Sequence, residues 1–546
     1  MKNKITMIYK LIVYLTFLLF IGIINFNNCF KIEKSTKVII IFFSFFILMF
    51  VLNKFIISKL NKKILDILTV LNITILIILE IIAVYFFRVE YNWDFRFIME
   101  GAIQLAQSAT TEHIHYFQVF PNNIGTLFIV TLGMKIFNNN EIGAYVLNIC
   151  LVAITDIITI ITAKKIGGEK MSFNVSILMI LCMPYWLYTP IVYSDTLSVL
   201  VPVLTILLWI KCKDATNKSK KWLYIGLITI FAFIGYIIKP IAVIGYVAII
   251  IEMFFSNIKY IKKFIASFLV FCILINIYNF FVYKFFLKTD AKNTEIYPYT
   301  HWVMMGMNKP FEYGGTSNGW GGYSYYDVMY TESNNSYEEK IEANIKKIKE
   351  RLLEFGTKGY LSFLSHKIIY IWNDGTYYIN AVLKWSPLNQ NTKIYSWFFG
   401  ENSNKFVEPY FNAFHILLML MIAIGTISEM IKERRSNIRI LEMCIIGVFI
   451  FLLFWEARSR YIYILIPIFS ILAGKGCVYI CDISIMNIIY KIKNRMKGKR
   501  KNEENISSHT NVLWRGSCSK MLWKNVRGAK RIIRLWLWDN LCEWWK

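Results

Sequence analysis

Apolar residues run through this chain in blocks of helix length, with short polar segments between them. A helix of about 17–25 apolar residues crosses the roughly 30 Å hydrocarbon core of a bilayer. The blocks fall at 7–25, 37–53, 66–87, 143–163, 171–188, 196–210, 222–238, 241–256, 264–286, 412–431, 440–455 and 461–480. The period-two alternation of a membrane barrel is absent, so the pattern predicts an all-α polytopic membrane protein with about 12 transmembrane helices. The blocks 222–238 and 241–256 are parted only by Lys239-Pro240 in "IGYIIKPIAVIGY". Proline ends a hydrogen-bonded helix there and pushes its predecessor into extended geometry. One further run, "NNIGTLFIVTLGMKIF" (122–137), is short and holds Gly125, Gly133 and Lys135. A crossing there would invert every later loop, so a re-entrant helix or one lying on the outer face is expected.

Charge orients the blocks. The 546 residues include 61 Lys and Arg against 35 Asp and Glu, a net charge of +26. The basic residues concentrate in 53–63, 164–170, 211–221, 257–263, 432–439 and 491–502. The positive-inside rule places all six segments, and with them both termini, in the cytoplasm of a multi-pass cell-membrane protein. The basic balance then reflects topology, and no nucleic-acid partner is expected. The first block follows only Lys2 and Lys4 and lacks a small-residue cleavage site, so it reads as a span rather than a removed signal peptide. The ten cysteines are scattered, several inside apolar blocks; Cys477 and Cys481 stand four apart without His partners. Neither a disulfide framework nor a metal site is expected.

The chain then divides into two N-terminal helices (1–65), a transmembrane module (66–286) with a first outer loop (88–142), an extracytoplasmic region (287–411), C-terminal helices (412–490) and a basic tail (491–546). In the tail, Lys524, Arg527, Lys530, Arg531 and Arg534 lie along one helical side and Ile533, Trp536, Leu537, Leu541 and Trp544 along another. That pattern predicts an interfacial helix on the anionic inner leaflet. In the outer region, 335–356 reads as a charged surface helix ending at Gly356. The segment 360–378 reads as an amphipathic juxtamembrane helix turning at Asn373-Asp374-Gly375.

Candidate chemistry gathers on the outward side. Asp94 lies in "YNWDFRF", framed by aromatics that exclude water, which suits a general base. Asp195, in "VYSDTLS", fits either a site carboxylate or the N-cap of the following span. Lys239 suits a phosphate at headgroup level or a snorkelling role. Arg458 and Arg460, in "WEARSRY", suit bidentate phosphate binding or an ion pair with Glu456. The stretches "YPYTHWVMMGMN" and "GGTSNGWGGYSYYD" supply His301, Trp302, Asn308, Tyr323 and Asp327 as candidate sugar or acceptor ligands. An ordinary folded outer loop fits the same composition, and a lone His beside Trp also fits a packed side chain. "GGTSNGWGG" lacks the Lys-Ser/Thr ending of a nucleotide-binding loop.

In their order and shared outward side, "NWDF", "YFQVFPNNIG", "YSDTLS", "GYIIKP", "THWVMMGMN" with "GGYSYYD", and "EARSRYIYILIP" resemble the GT-C superfamily of polyprenyl-phosphate-sugar-dependent glycosyltransferases. The nearest likeness is to the bacterial branch related to protein mannosyltransferases and lipid A aminoarabinose transferases, over residues 66–480. The resemblance implies a GT-C-like helical bundle in which a lipid-phosphate sugar enters from the membrane and a cell-envelope glycan, lipid or protein accepts the sugar. It implies Asp94 as general base, Asp195 as an acceptor-positioning or second base, and Lys239 with Arg458 or Arg460 on the donor phosphate. The first loop has no Asp-x-Asp; Glu90 and Asp94 stand four apart. That departure points to transfer with no metal or other cofactor. An envelope polysaccharide polymerase or ligase, and a lipid-linked sugar flippase or transporter, are the rival readings.

Overall fold

The computed structural model describes residues 2–33, 35–108, 110–256, 260–289, 295–310, 319–401, 403–432 and 436–480. The basic tail, with its expected interfacial helix, lies outside them. Among the described residues ten helices are long and apolar enough to cross a membrane: Tyr9–Asn28, Thr36–Ile57, Lys62–Phe86, Ile142–Gly167, Ser194–Asp214, Lys218–Ile238, Ile261–Leu287, Lys405–Met430, Asn437–Phe454 and Ser459–Tyr479. The architecture is all-helical and multi-pass. Two of the twelve expected spans fall short. The block 171–188 divides at Cys182, where the backbone leaves helical geometry ahead of Pro184, into Glu169–Leu181 and Met183–Leu187. The run after Lys239 is the shorter apolar stretch Pro240–Phe255.

Ser194–Asp214, Ser459–Tyr479 and Lys405–Met430 form the buried centre of the bundle, while Lys62–Phe86 and Ile261–Leu287 turn much of their apolar surface outward. Small residues set the central packing. A Cβ at Gly476 would run into the Met421 carbonyl, and one at Gly425 into that of Leu472, so these two glycines let the central helices touch backbone to backbone.

Contacts sort the helix ends into two groups. At one end Lys164 meets Asp66 (2.6 Å), Lys165 meets Asp214 (3.7 Å), Lys213 meets Asn437 and Lys475 meets Glu429 (2.6 Å). This end gathers the basic loops. At the other end Trp93, Asp94, Tyr193, Lys239, Arg460 and Tyr461 converge. The helix Ile124–Ile136 lies across that second end rather than along the bundle. Its start packs on Ile237, with Thr126 Oγ1 donating to the Ile238 carbonyl (3.1 Å), and its other end meets Gly143, next to the Glu141 that accepts from Tyr91.

The outer region is also helical. Ser336 and Glu339 form a reciprocal capping box at the start of Tyr337–Trp372. Gly356, at φ 57°, breaks that helix into a charged half and an amphipathic half, and Asn373 ends it.

Candidate functional site

Asp94 occupies the first turn of Trp93–Gln107, where the helix dipole favours a carboxylate. Paired backbone fixes its approach: Glu90 N–H donates to the Ser386 carbonyl (2.9 Å) and Leu388 N–H to that of Arg88 (3.0 Å). Trp93 carries a φ of 42°, unusual for a bulky residue, immediately before the acid. Such strain persists only where neighbours enforce it. Asp94 Oδ2 accepts from the Tyr193 hydroxyl (3.1 Å). Burial, and then the Asp94 charge, push the Tyr193 phenol well above its ordinary pKa, so it remains a donor.

Tyr193 is followed by Asp195, whose buried carboxylate pairs with Lys239. The turn sequence accounts for the pairing: Lys239 is extended (φ −158°, ψ 112°) ahead of Pro240, which ends one helix and aims the ammonium inward. Burial pushes the Lys239 pKa down and Asp195 opposes that shift. The same ammonium lies over the Tyr461 ring (5.1 Å).

Residues 455–461 complete the cluster. Glu456 takes Arg458 Nε (3.3 Å) and the Tyr461 hydroxyl (2.9 Å). Arg458 also donates to the Tyr378 hydroxyl (3.0 Å) and lies over the rings of Tyr378 (5.1 Å) and Tyr323 (5.9 Å). Tyr377 and Tyr378 both have positive φ, 51° and 69°. Asp374 supports them by accepting from Thr376 Oγ1 (2.7 Å), the Tyr378 amide (3.3 Å) and Ser459 Oγ (2.5 Å). Behind the segment, the buried Lys367 ammonium donates to the carbonyls of Gly306 (2.6 Å), Trp455 (2.7 Å) and Leu453 (3.1 Å), tying it to the outer helix.

Arg460 differs from its neighbours. Its guanidinium is stacked among Trp93 (5.1 Å), Tyr461 (5.4 Å) and Tyr193 (5.6 Å). Among the described residues it makes no direct ion pair, although Asp195 and Asp94 act on it at longer range, and its buried Nε has no hydrogen-bond partner. Lys239 and Arg458 each pair directly with an acid, whereas Asp195 and Asp94 act on Arg460 only at longer range, which leaves its Nε open to an incoming anion.

The structure thus brings Asp94, Asp195, Lys239, Arg458, Arg460 and Tyr323 into one neighbourhood. It does not bring His301, Asn308 or Asp327 there. Asp327 is buried in a two-pronged pair with Arg351 (2.6 and 3.2 Å). Asn308 donates to the Gly322 carbonyl (2.7 Å). His301 is fully buried against Thr331 Oγ1 (2.7 Å), and burial, helped by Lys340, lowers its pKa to about 3. Trp302 stacks on Trp455 (6.2 Å), at the margin of the cluster. Sequence reasoning did not single out Tyr193, Tyr378, Tyr461 or Asp374. Tyr193 and Tyr461 flank the candidate acid and arginines directly in sequence, which was the available signal; nothing local marked Tyr378. Among the described residues no group of three or more His, Cys, Asp or Glu side chains is placed to hold a metal ion.

Residues 1–477 match the family model described as conserved hypothetical integral membrane protein. The chain belongs to that family. Every residue of the cluster lies within the part of this conserved hypothetical integral membrane protein that the family model spans. No curated protein matches the sequence. Among solved structures, the chain is similar to the Archaeoglobus fulgidus oligosaccharyltransferase, solved with zinc and sulfate, at 10% identity and a TM-score of 0.41, over 78% of this chain. The chain spans 52% of that protein's length. It is also similar to ArnT from Cupriavidus metallidurans in the apo state, at 9% identity and a TM-score of 0.33, over 75% of this chain and 77% of that one. At these scores and identities neither likeness assigns an activity.

Proposed function

We propose that this protein is a GT-C-type integral membrane glycosyltransferase that moves a sugar from a polyprenyl-phosphate donor to a hydroxyl of an extracytoplasmic cell-envelope acceptor. The observation that carries the reading is the juxtaposition, at the helix ends opposite the basic loops, of a carboxylate held by Tyr193 and a guanidinium that makes no direct ion pair among the described residues. Asp94 takes the acceptor proton as the acceptor oxygen bonds to the sugar carbon. The bond from that carbon to the phosphate oxygen breaks, and its electron pair leaves on the lipid phosphate. Arg460, helped by Lys239 and Arg458, meets the charge that develops there. A single displacement of this kind inverts the anomeric centre, and it proceeds without a metal. Asp195 holds Lys239 in place. The positive-inside rule puts the basic end in the cytoplasm and the cluster on the outer face.

The test is transfer from a radiolabelled polyprenyl-phosphate sugar into acceptor by the full chain in lipid vesicles. Wild type transfers label and Asp94→Asn loses at least about 10²-fold, as expected for removal of a general base. Full transfer by Asp94→Asn overturns the base assignment, and movement of the donor across the vesicle without transfer overturns the enzyme reading in favour of a flippase.

A further inference from the structure

A second group of ionisable side chains lies inside the bundle, away from the site described above. Glu80 is on the span Lys62–Phe86 and Asp156 on Ile142–Gly167. Both are fully buried, on helices that pack against one another, and each acts on the other. The Asp66–Lys164 pair marks the basic ends of the same two helices. Glu80 stands fourteen residues along its helix from Asp66 and Asp156 eight from Lys164, so each is more than two helical turns in from that end. The acids therefore sit at depth in the membrane rather than at its surface.

Among the described residues their surroundings hold no compensating charge. The Tyr185 hydroxyl donates to Asp156 Oδ1 (2.7 Å). Cys150, on the Asp156 helix, also acts on Glu80, and Tyr463, stacked on Tyr185 at 5.8 Å, faces the pair from the central span. None of these groups is basic, and no Lys, Arg or His acts on either acid among the described residues. Among the described residues, both oxygens of Glu80 and Oδ2 of Asp156 have no donor. Two carboxylates cannot both stay ionised at close range in a low dielectric without a counter-charge. A proton between them supplies both the missing charge and the missing donor.

We propose that Glu80, Asp156 and Tyr185 form an intramembrane site for a single proton, shared by the two carboxyl groups and held from one side by the phenol. Tyr463 donates to the Tyr185 carbonyl (3.1 Å) and its ring meets Tyr188 (4.7 Å), so a layer of tyrosines separates this site from the residues that carry Arg460. The proposal does not depend on the sugar-transfer reading.

The full chain in lipid vesicles is examined by infrared spectroscopy at neutral pH, beside the double variant Glu80→Gln, Asp156→Asn. The amides replace the protonated pair without a charge, so the variant folds. The expected result is a protonated-carboxyl stretch in wild type that weakens in the variant. A hydrophobic carbodiimide, which attacks protonated carboxyls, is expected to modify Glu80 or Asp156, less so as pH rises. An infrared band unchanged by the double variant overturns the proposal. Protection from the carbodiimide by sodium ions at fixed pH overturns it in favour of an alkali-ion site.

Discussion

Replacing Arg460 with methionine separates catalysis from stability more cleanly than any other change in the cluster. The guanidinium makes no direct ion pair among the described residues, and methionine fills much of the slot among Trp93, Tyr193 and Tyr461. The cost to folding is then mainly the lost ring contacts, from about 0.5 kcal/mol each where water reaches them to about 2 kcal/mol where it does not. The cost to the reaction is separate. A preorganised donor aimed at developing charge is worth about 2.7–4 kcal/mol, or roughly 10²–10³ in kcat. Arg460→Met is thus expected to retain its thermal midpoint within a few degrees while transfer in vesicles drops by about 10²-fold or more, mainly in kcat. Arg460→Lys, which keeps the charge but loses the planar stack, falls between. Transfer within about threefold of wild type in Arg460→Met would refute the assignment of this residue to the departing phosphate.

Three further predictions follow from the burial of charge. Lys239→Met leaves the Asp195 carboxylate, about 5% exposed, without its cation, and is expected to destabilise the protein by about 3–5 kcal/mol in thermal or denaturant unfolding; Lys239→Met, Asp195→Asn recovers much of that loss. Asp327→Asn, which breaks the buried pair with Arg351, lowers stability by a similar amount, about 3–5 kcal/mol, and leaves the KM for donor and acceptor unchanged among molecules that fold. His301 titrates near 6.5 when unfolded and at about 3 when folded. Between these values the unfolded chain binds the extra proton, so stability is full above the upper value and declines as pH falls through the window, by up to about 1.4 kcal/mol per unit. His301→Gln flattens that acid limb in a series of melting curves from pH 7 to 4.

Much of the architecture was legible because the bilayer imposes long, continuous signals. The apolar runs located the helices, Gly356 and Asn373 marked a kink and an end, and the basic loops foretold which helix ends meet. Two expected spans are shorter than their apolar runs: Cys182 and Pro184 interrupt one, and Pro240 begins the other with a tight turn. At the candidate site, Asp94, Asp195, Lys239 and the two arginines stood out because charge is scarce beside a membrane. Tyr378 did not, since its place depends on a turn at Asp374 that brings residues 80 positions apart together. The aromatic and amide-rich outer stretches read as ligand surface, but His301, Asn308 and Asp327 are buried by the helix Tyr337–Trp372, and no local pattern encodes that docking. Glu80 and Asp156 were visible as single mid-span acids; that they face each other depends on the packing of two helices.

The most direct test of a lipid-phosphate site at the Asp94–Arg460 cluster is photo-crosslinking with a polyprenyl phosphate carrying its reactive group beside the phosphate. The wild-type chain in lipid vesicles is labelled and the adducts are mapped by mass spectrometry. Adducts are expected on the peptides holding Trp93 and Asp94, Tyr193, or Arg458 to Arg460, and excess unlabelled polyprenyl phosphate removes them. Adducts confined to the basic end, around Lys164, Lys213 and Arg439, would contradict a site at the cluster.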